Sequence, residues 1–121
     1  MTSLELLHER VTKKYIDIES KVKYLTNKHH FILSADETLL IKDELVVLKD
    51  NMHLYTKEDL KKLSFLAQQG FCYAPINSEL VYVNGVFKIS VQTFYELETL
   101  KDLKKLYFKY IKKLKKHQPI H

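Results

Sequence analysis

Residues 31–54 read FILSADETLLIKDELVVLKDNMHL, and the way this stretch folds decides the architecture. Ser34-Ala35-Asp36-Glu37 has the spacing of a capping box, which would open a helix running through Leu48. The apolar runs Leu39-Leu40-Ile41 and Leu45-Val46-Val47-Leu48, split by Lys42-Asp43-Glu44, equally fit a hairpin with a three-residue loop. The β-branched pair Val46-Val47 leans towards strands. Phe31-Ile32-Leu33 ahead of it reads as a short buried strand. Helix and hairpin both stay open.

The flanking signals are sharper. Upstream, Thr2-Ser3-Leu4-Glu5 is a capping-box spacing, followed by an apolar seam at Leu4, Leu7, Val11, Tyr15, Ile18, Val22 and Leu25. Steps of three and four predict an amphipathic helix from about Ser3 to Asn27. At 1.5 Å per residue it is roughly 37 Å long, so it needs another long helix or a second copy of the chain alongside it. Downstream, Thr56-Lys57-Glu58-Asp59 caps a helix with apolar positions Leu60, Leu63, Leu66 and Ala67, closed by Gly70. Phe71 to Ile76 is a short extended piece, and Glu79 to Ser90 is a hairpin turning at Asn84-Gly85, the type I′ pair. That register puts Leu80, Tyr82, Phe87 and Ile89 on the core face, with Val81, Val83, Val86 and Lys88 partly wet. Thr93-Phe94-Tyr95-Glu96 then caps a last helix to about Lys116, with a seam at Leu100, Leu103, Tyr107, Tyr110 and Leu114.

Together these predict one α+β domain over residues 1–121. Two long terminal amphipathic helices pack with a shorter helix and a β-hairpin. The order of a helix from Thr56 to Gln69, then Gly70-Phe71, then a hairpin resembles the recognition helix and wing of winged-helix domains. In that resemblance a helical Ser34–Leu48 would precede the recognition helix. The resemblance implies DNA binding, but the candidate recognition helix carries only Lys57, Lys61 and Lys62 beside Glu58 and Asp59. It has no arginine for bidentate reading of guanine, so contacts would fall mostly on the nucleic-acid backbone.

Charge is distributed unevenly. From Lys101 to His121 there are eight lysines and one acid, Asp102; the preceding hundred residues carry twelve basic and fourteen acidic side chains. The net charge of +5 therefore resides in residues 101–121. Nineteen lysines against a single arginine, Arg10, with few Ala, Gly and Pro, is the skew of AT-rich codons. Codon bias spreads lysine along a chain and does not gather it at one end. Such asymmetry points to a polyanion or an acidic surface. The lysines face away from the apolar seam, and Phe108 stands among them, placed to stack on an unpaired base, to dip into a membrane interface or, equally, to be covered by the N-terminal helix. The expected nucleic-acid-binding set is Lys101, Lys105, Phe108, Lys109, Lys112 and Lys116. A plain solvated helix face is the bland alternative.

Other chemistries find little support. There is no Ser-centred elbow, no Gly-rich phosphate loop and no H-E-x-x-H helix, so a non-enzyme without cofactor or small-molecule substrate is expected. His117-Gln-Pro-Ile-His121 has half the spacing of a zinc site but lacks a C-x₂-C partner, so no metal is expected. Cys72 is alone, which suits a reducing, intracellular (cytoplasmic) compartment and a small core side chain. No apolar run reaches the roughly 18 residues of a membrane span, and MTSLELLHERVTKK lacks the apolar core of a signal peptide. The expected role is a small intracellular nucleic-acid-binding or regulatory protein. The alternative is a protein-binding module or inhibitor, of the kind common among phage and viral accessory factors, docking on an acidic partner surface. Attachment to an anionic membrane fits less well, because the seam is aromatic and heptad-like. A homodimer is also expected, from the length of the first helix.

Overall fold

The computed structural model describes residues 2–117, with the side chains of Lys116 and His117 excepted. The chain is α+β, as expected: helix α1 (Ser3–Lys28), strands β1 (Ile32–Leu33), β2 (Leu39–Lys42) and β3 (Leu45–Leu48), a 3₁₀ segment over Lys49–Leu54, helix α2 (Lys57–Gln68), strands β4 (Cys72–Ile76), β5 (Glu79–Asn84) and β6 (Phe87–Ser90), and helices α3 (Val91–Glu96) and α4 (Leu100–His117). The strands form two antiparallel three-stranded sheets, ordered β1-β2-β3 and β4-β5-β6.

Residues 31–54 therefore take the hairpin reading, and Ser34–Leu48 does not supply the helix ahead of α2 that the winged-helix resemblance implied. Ser34 and Asp36 do cap, but they cap a turn. Asp36 Oδ1 accepts from the Ser34 and Thr38 hydroxyls at 2.6 and 2.7 Å, while Ser34 Oγ accepts from the Leu39 N–H at 3.0 Å. A hydroxyl and a carboxylate near one another satisfy free backbone donors as readily in a turn as at a helix start. The β2–β3 loop is two residues, Asp43-Glu44, because Lys42 pairs with Leu45. Asp43 meets the left-handed requirement at φ 52°.

α2 is the central element. Its capping box is complete, with Thr56 N donating to Asp59 Oδ2 (2.9 Å) and Asp59 N to Thr56 Oγ1 (3.1 Å). It stops at Gly70 (φ 82°), where Gly70 N reaches Ala67 O and Phe71 N reaches Leu66 O, both at 3.0 Å. Residues Lys62 to Ala67 are buried without interruption, since α1 contacts one side of α2 and α4 another. The terminal helices thus pack on the shorter helix between them. α1 also lies along the 3₁₀ segment, tied there by Lys49 to Glu19 at 2.9 Å.

The second sheet departs from its expected turn by one residue. Asn84 pairs with Phe87, so the loop is Gly85-Val86, with only Gly85 at positive φ (60°), the pattern of a type II′ turn. The turn with two left-handed residues is the preceding one, Asn77-Ser78, at φ 50° and 66°. Asn84 is free to reach sideways, donating from Nδ2 to Gln69 O at 2.6 Å. Tyr82 and Ile89 are buried opposite one another as expected, and Phe87 packs on the core. Leu80 is exposed, because the core ends before the far end of the hairpin, and Val81 is buried on the sheet face opposite Tyr82, both the reverse of expectation. On the core side Tyr73 forms hydroxyl hydrogen bonds with both Tyr55, at 3.1 Å, and Tyr82.

Candidate nucleic-acid interface

The last helix does not begin at Thr93. Ser90 caps α3 through Thr93 N (3.0 Å), the helix ends after Glu96, and Thr99 then caps α4. Thr99 Oγ1 accepts from Asp102 N at 3.2 Å and donates to the Asp102 carboxylate at 2.9 Å. The two helix ends that meet at this break leave opposite unsatisfied groups, carbonyls from α3 and N–H groups from α4.

α2 answers both. Lys62, fully buried, donates to the carbonyls of Phe94 and Leu97 and pairs with Asp59 at 2.9 Å. Its ammonium also lies 4.1 Å from the centre of the Phe94 ring. One helical turn earlier, Glu58 Oε2 accepts from Leu100 N at 3.1 Å, with Lys61 at 3.0 Å from the other oxygen. The Leu100 N–H, and Lys61 after it, hold the Glu58 carboxyl below its ordinary range. A cation thus sits at the C-terminal end of α3 and a carboxylate at the N-terminal end of α4, as the two helix dipoles require. This junction aims α4, and nothing in the sequence pattern anticipated it. It also corrects the role of Lys62, which is enclosed in the core and has no access to a nucleic acid.

α4 buries Leu103 and Tyr107 and partly buries Leu100 and Ile111, while Tyr110 stacks on Phe87 with ring centres 4.1 Å apart. Leu114, expected on the seam, is exposed because the helix has by then run past the body. On the other side Lys101, Lys105, Lys109 and Lys112 are all exposed, as are Lys104, Lys113 and Lys115. Among the described residues, none of these lysines is ion-paired; the four salt bridges involve Lys21, Lys49, Lys61 and Lys62. The side chain of Lys116 lies outside the described residues, as do His121 and the ring of His117. Phe108 is half-exposed at 50% and makes a T-shaped contact with Phe65, the ring centres 6.1 Å apart. With Leu100, Lys101, Lys104 and Lys105 it lines a shallow hollow. Lys104, absent from the expected set, lies 5.6 Å over the Phe65 ring.

The structure therefore brings five of the six expected side chains onto one exposed, cationic helix face with an anchored aromatic among them. Among the described residues, no three His, Cys, Asp or Glu side chains group closely enough to hold a metal ion. Nor is any helix there long and apolar enough to cross a membrane. No family model, curated protein or solved structure matches the chain.

Proposed function

We propose that the protein acts by binding rather than catalysis, and that the lysine face of α4 takes the phosphate backbone of a nucleic acid. The observation that carries this reading is the freedom of the lysines. Seven exposed ammonium groups along α4, none of them ion-paired among the described residues, make a cationic strip that gains by releasing counterions from a polyanion. Phe108 offers a ring already held by Phe65, so stacking on an unpaired base costs little ordering. α2, the recognition helix of the winged-helix resemblance, is buried between its neighbours, so reading of bases in the major groove is no part of the proposal. An intracellular setting accords with the single free Cys72.

Gel shifts with single- and double-stranded DNA and RNA across a salt series test this. Wild type should bind at about 50 mM salt and weaken steeply with salt, the logarithmic slope counting the phosphates neutralised. Reversal of Lys105, Lys109 and Lys112 to Glu should abolish binding in a protein that stays folded. Phe108→Ala should weaken single-stranded binding by about 1–3 kcal/mol and leave duplex binding nearly unchanged. Indifference of a folded triple variant, or no binding by wild type at low salt, would sink the proposal.

The second reading is a protein-binding module or inhibitor that docks α4 on an acidic partner surface. One observation favours it. The outward face of the first sheet is apolar, with Ile32, Val46 and Leu48 exposed, and exposed Leu54 and Leu80 line the adjoining groove. Nucleic acid would gain nothing from such a face.

A further inference from the structure

α1 changes character half-way along. Its apolar stripe is continuous from Leu4 to Leu25, all seven positions lying within about 80° of arc at 100° per residue. Ile18, Val22 and Leu25 on that stripe are buried in the core. Leu4, Leu7, Val11 and Tyr15 on the same stripe are 78%, 58%, 59% and 63% exposed. Every residue from Thr2 to Ile16 is exposed, so the first half of the helix projects from the body without tertiary support. The fourteen helical residues of this half are at the limit of what stays helical alone in water.

We infer that this projecting half pairs with the same half of a second copy, antiparallel, in a twofold dimer. The direction comes from sterics. The chain's own body covers the stripe from Ile18 onwards, so a parallel partner helix would run into it. An antiparallel partner meets no such obstacle, and its N-terminus stops at the body near Tyr15. That stop sets the register: Leu4 faces the partner's Tyr15, and Leu7 faces the partner's Val11. The twofold axis then repeats both pairs, giving four apolar layers from four residues, with Tyr against Leu at the ends and Leu against Val inside. The contact extends the seam that already joins α1 to the core, so core and interface form one apolar strip.

The paired segment is only about 18 Å long. It falls short of the roughly 800 Å² per partner of a standard interface, so the dimer should be weak, assembling at micromolar concentrations or above. Arg10 flanks the stripe and, in this register, approaches its symmetry mate, so salt should not weaken the dimer. Binding of a polyanion by α4 would show the opposite dependence.

Analytical ultracentrifugation over a wide concentration range tests the pairing. The mass should rise from one chain towards two, with helicity by circular dichroism rising in step as the projecting half is stabilised. Leu7→Glu, at a site exposed in the single chain, should shift the midpoint at least tenfold upwards without changing the melting of the body. Register is read by cross-linking in a Cys72→Ser background. A Leu7→Cys variant mixed with a Val11→Cys variant should form the mixed disulfide in preference to either self-disulfide. A chain that stays monomeric throughout, a dimer untouched by Leu7→Glu, or dominant self-disulfides would overturn the inference.

Discussion

α2 and α4 pack on one another, both carry lysine, and they use it in opposite ways. Lys62 of α2 has no solvent exposure and spends all its hydrogen bonds on Asp59 and on the carbonyls that end α3. The lysines of α4 are exposed and, among the described residues, unpaired. The difference lies in what surrounds the helix. α4 lies at the margin of the fold, so a lysine there keeps its water. α2 is packed between two helices, so the same side chain must replace every lost water contact, and it persists only because a carboxylate and two carbonyls converge on it. A lysine count therefore says little about binding until it is known which helix is enclosed.

Three substitutions grade that contrast. The largest effect should come from Lys62→Ala, which leaves Asp59 without its partner and two carbonyls unsatisfied, and should cost about 3–5 kcal/mol in a denaturant melt. Because the lost bonds hold the α3–α4 junction, amides of Leu97 to Leu103 should also exchange faster in hydrogen–deuterium measurements. Lys104→Ala comes next: loss of the ammonium from the Phe65 ring should cost about 0.5–1 kcal/mol by the same melt. Smallest is the charge reversal of Lys105, Lys109 and Lys112, which should move stability by no more than about 0.5 kcal/mol while removing nucleic-acid binding. If Lys62→Ala melted like wild type, or the triple variant unfolded, the division between a structural and a binding lysine would collapse.

Much of the fold can be read from particular residues. The boxes at Thr2 and Thr56 and the stop at Gly70 are local signals, complete within four residues, and the structure realises each. The exposed lysines and Phe108 were legible because a helix facing away from its seam faces water. What was not legible depended on distant partners. Thr99-Leu100-Lys101-Asp102 is as good a capping box as the one placed at Thr93, and only the reach of Glu58 and Lys62 from α2 shows where the helix breaks. At Asn84-Gly85 the local preference for a type I′ turn lost to a side-chain hydrogen bond from Asn84 to the end of α2. The seam of α1 gave its length but not that its first half projects beyond the body. The apolar runs in β2 and β3 lack alternation, which is the pattern of strands covered on both faces; within one chain, only one face is fully covered.

The tyrosine hydroxyls that meet on the core side of the second sheet set a limit on the conditions the fold withstands. Burial pushes the phenols of Tyr55, Tyr73 and Tyr82 above their ordinary range, and burial beside the Tyr55 ring pushes Tyr95 up to about 12. In the unfolded chain all four release a proton near pH 10. Below that value folded and unfolded chains hold the same phenolic protons, and these residues add no pH dependence. Above it the unfolded chain is deprotonated first, so folding takes up protons and stability falls as pH rises from 10 through 12 and beyond. Tyrosinate absorbance should then appear in two stages, the exposed phenols first and the enclosed ones only as the fold opens. The protein should thus carry, in its own absorbance, a gauge of whether its core is closed.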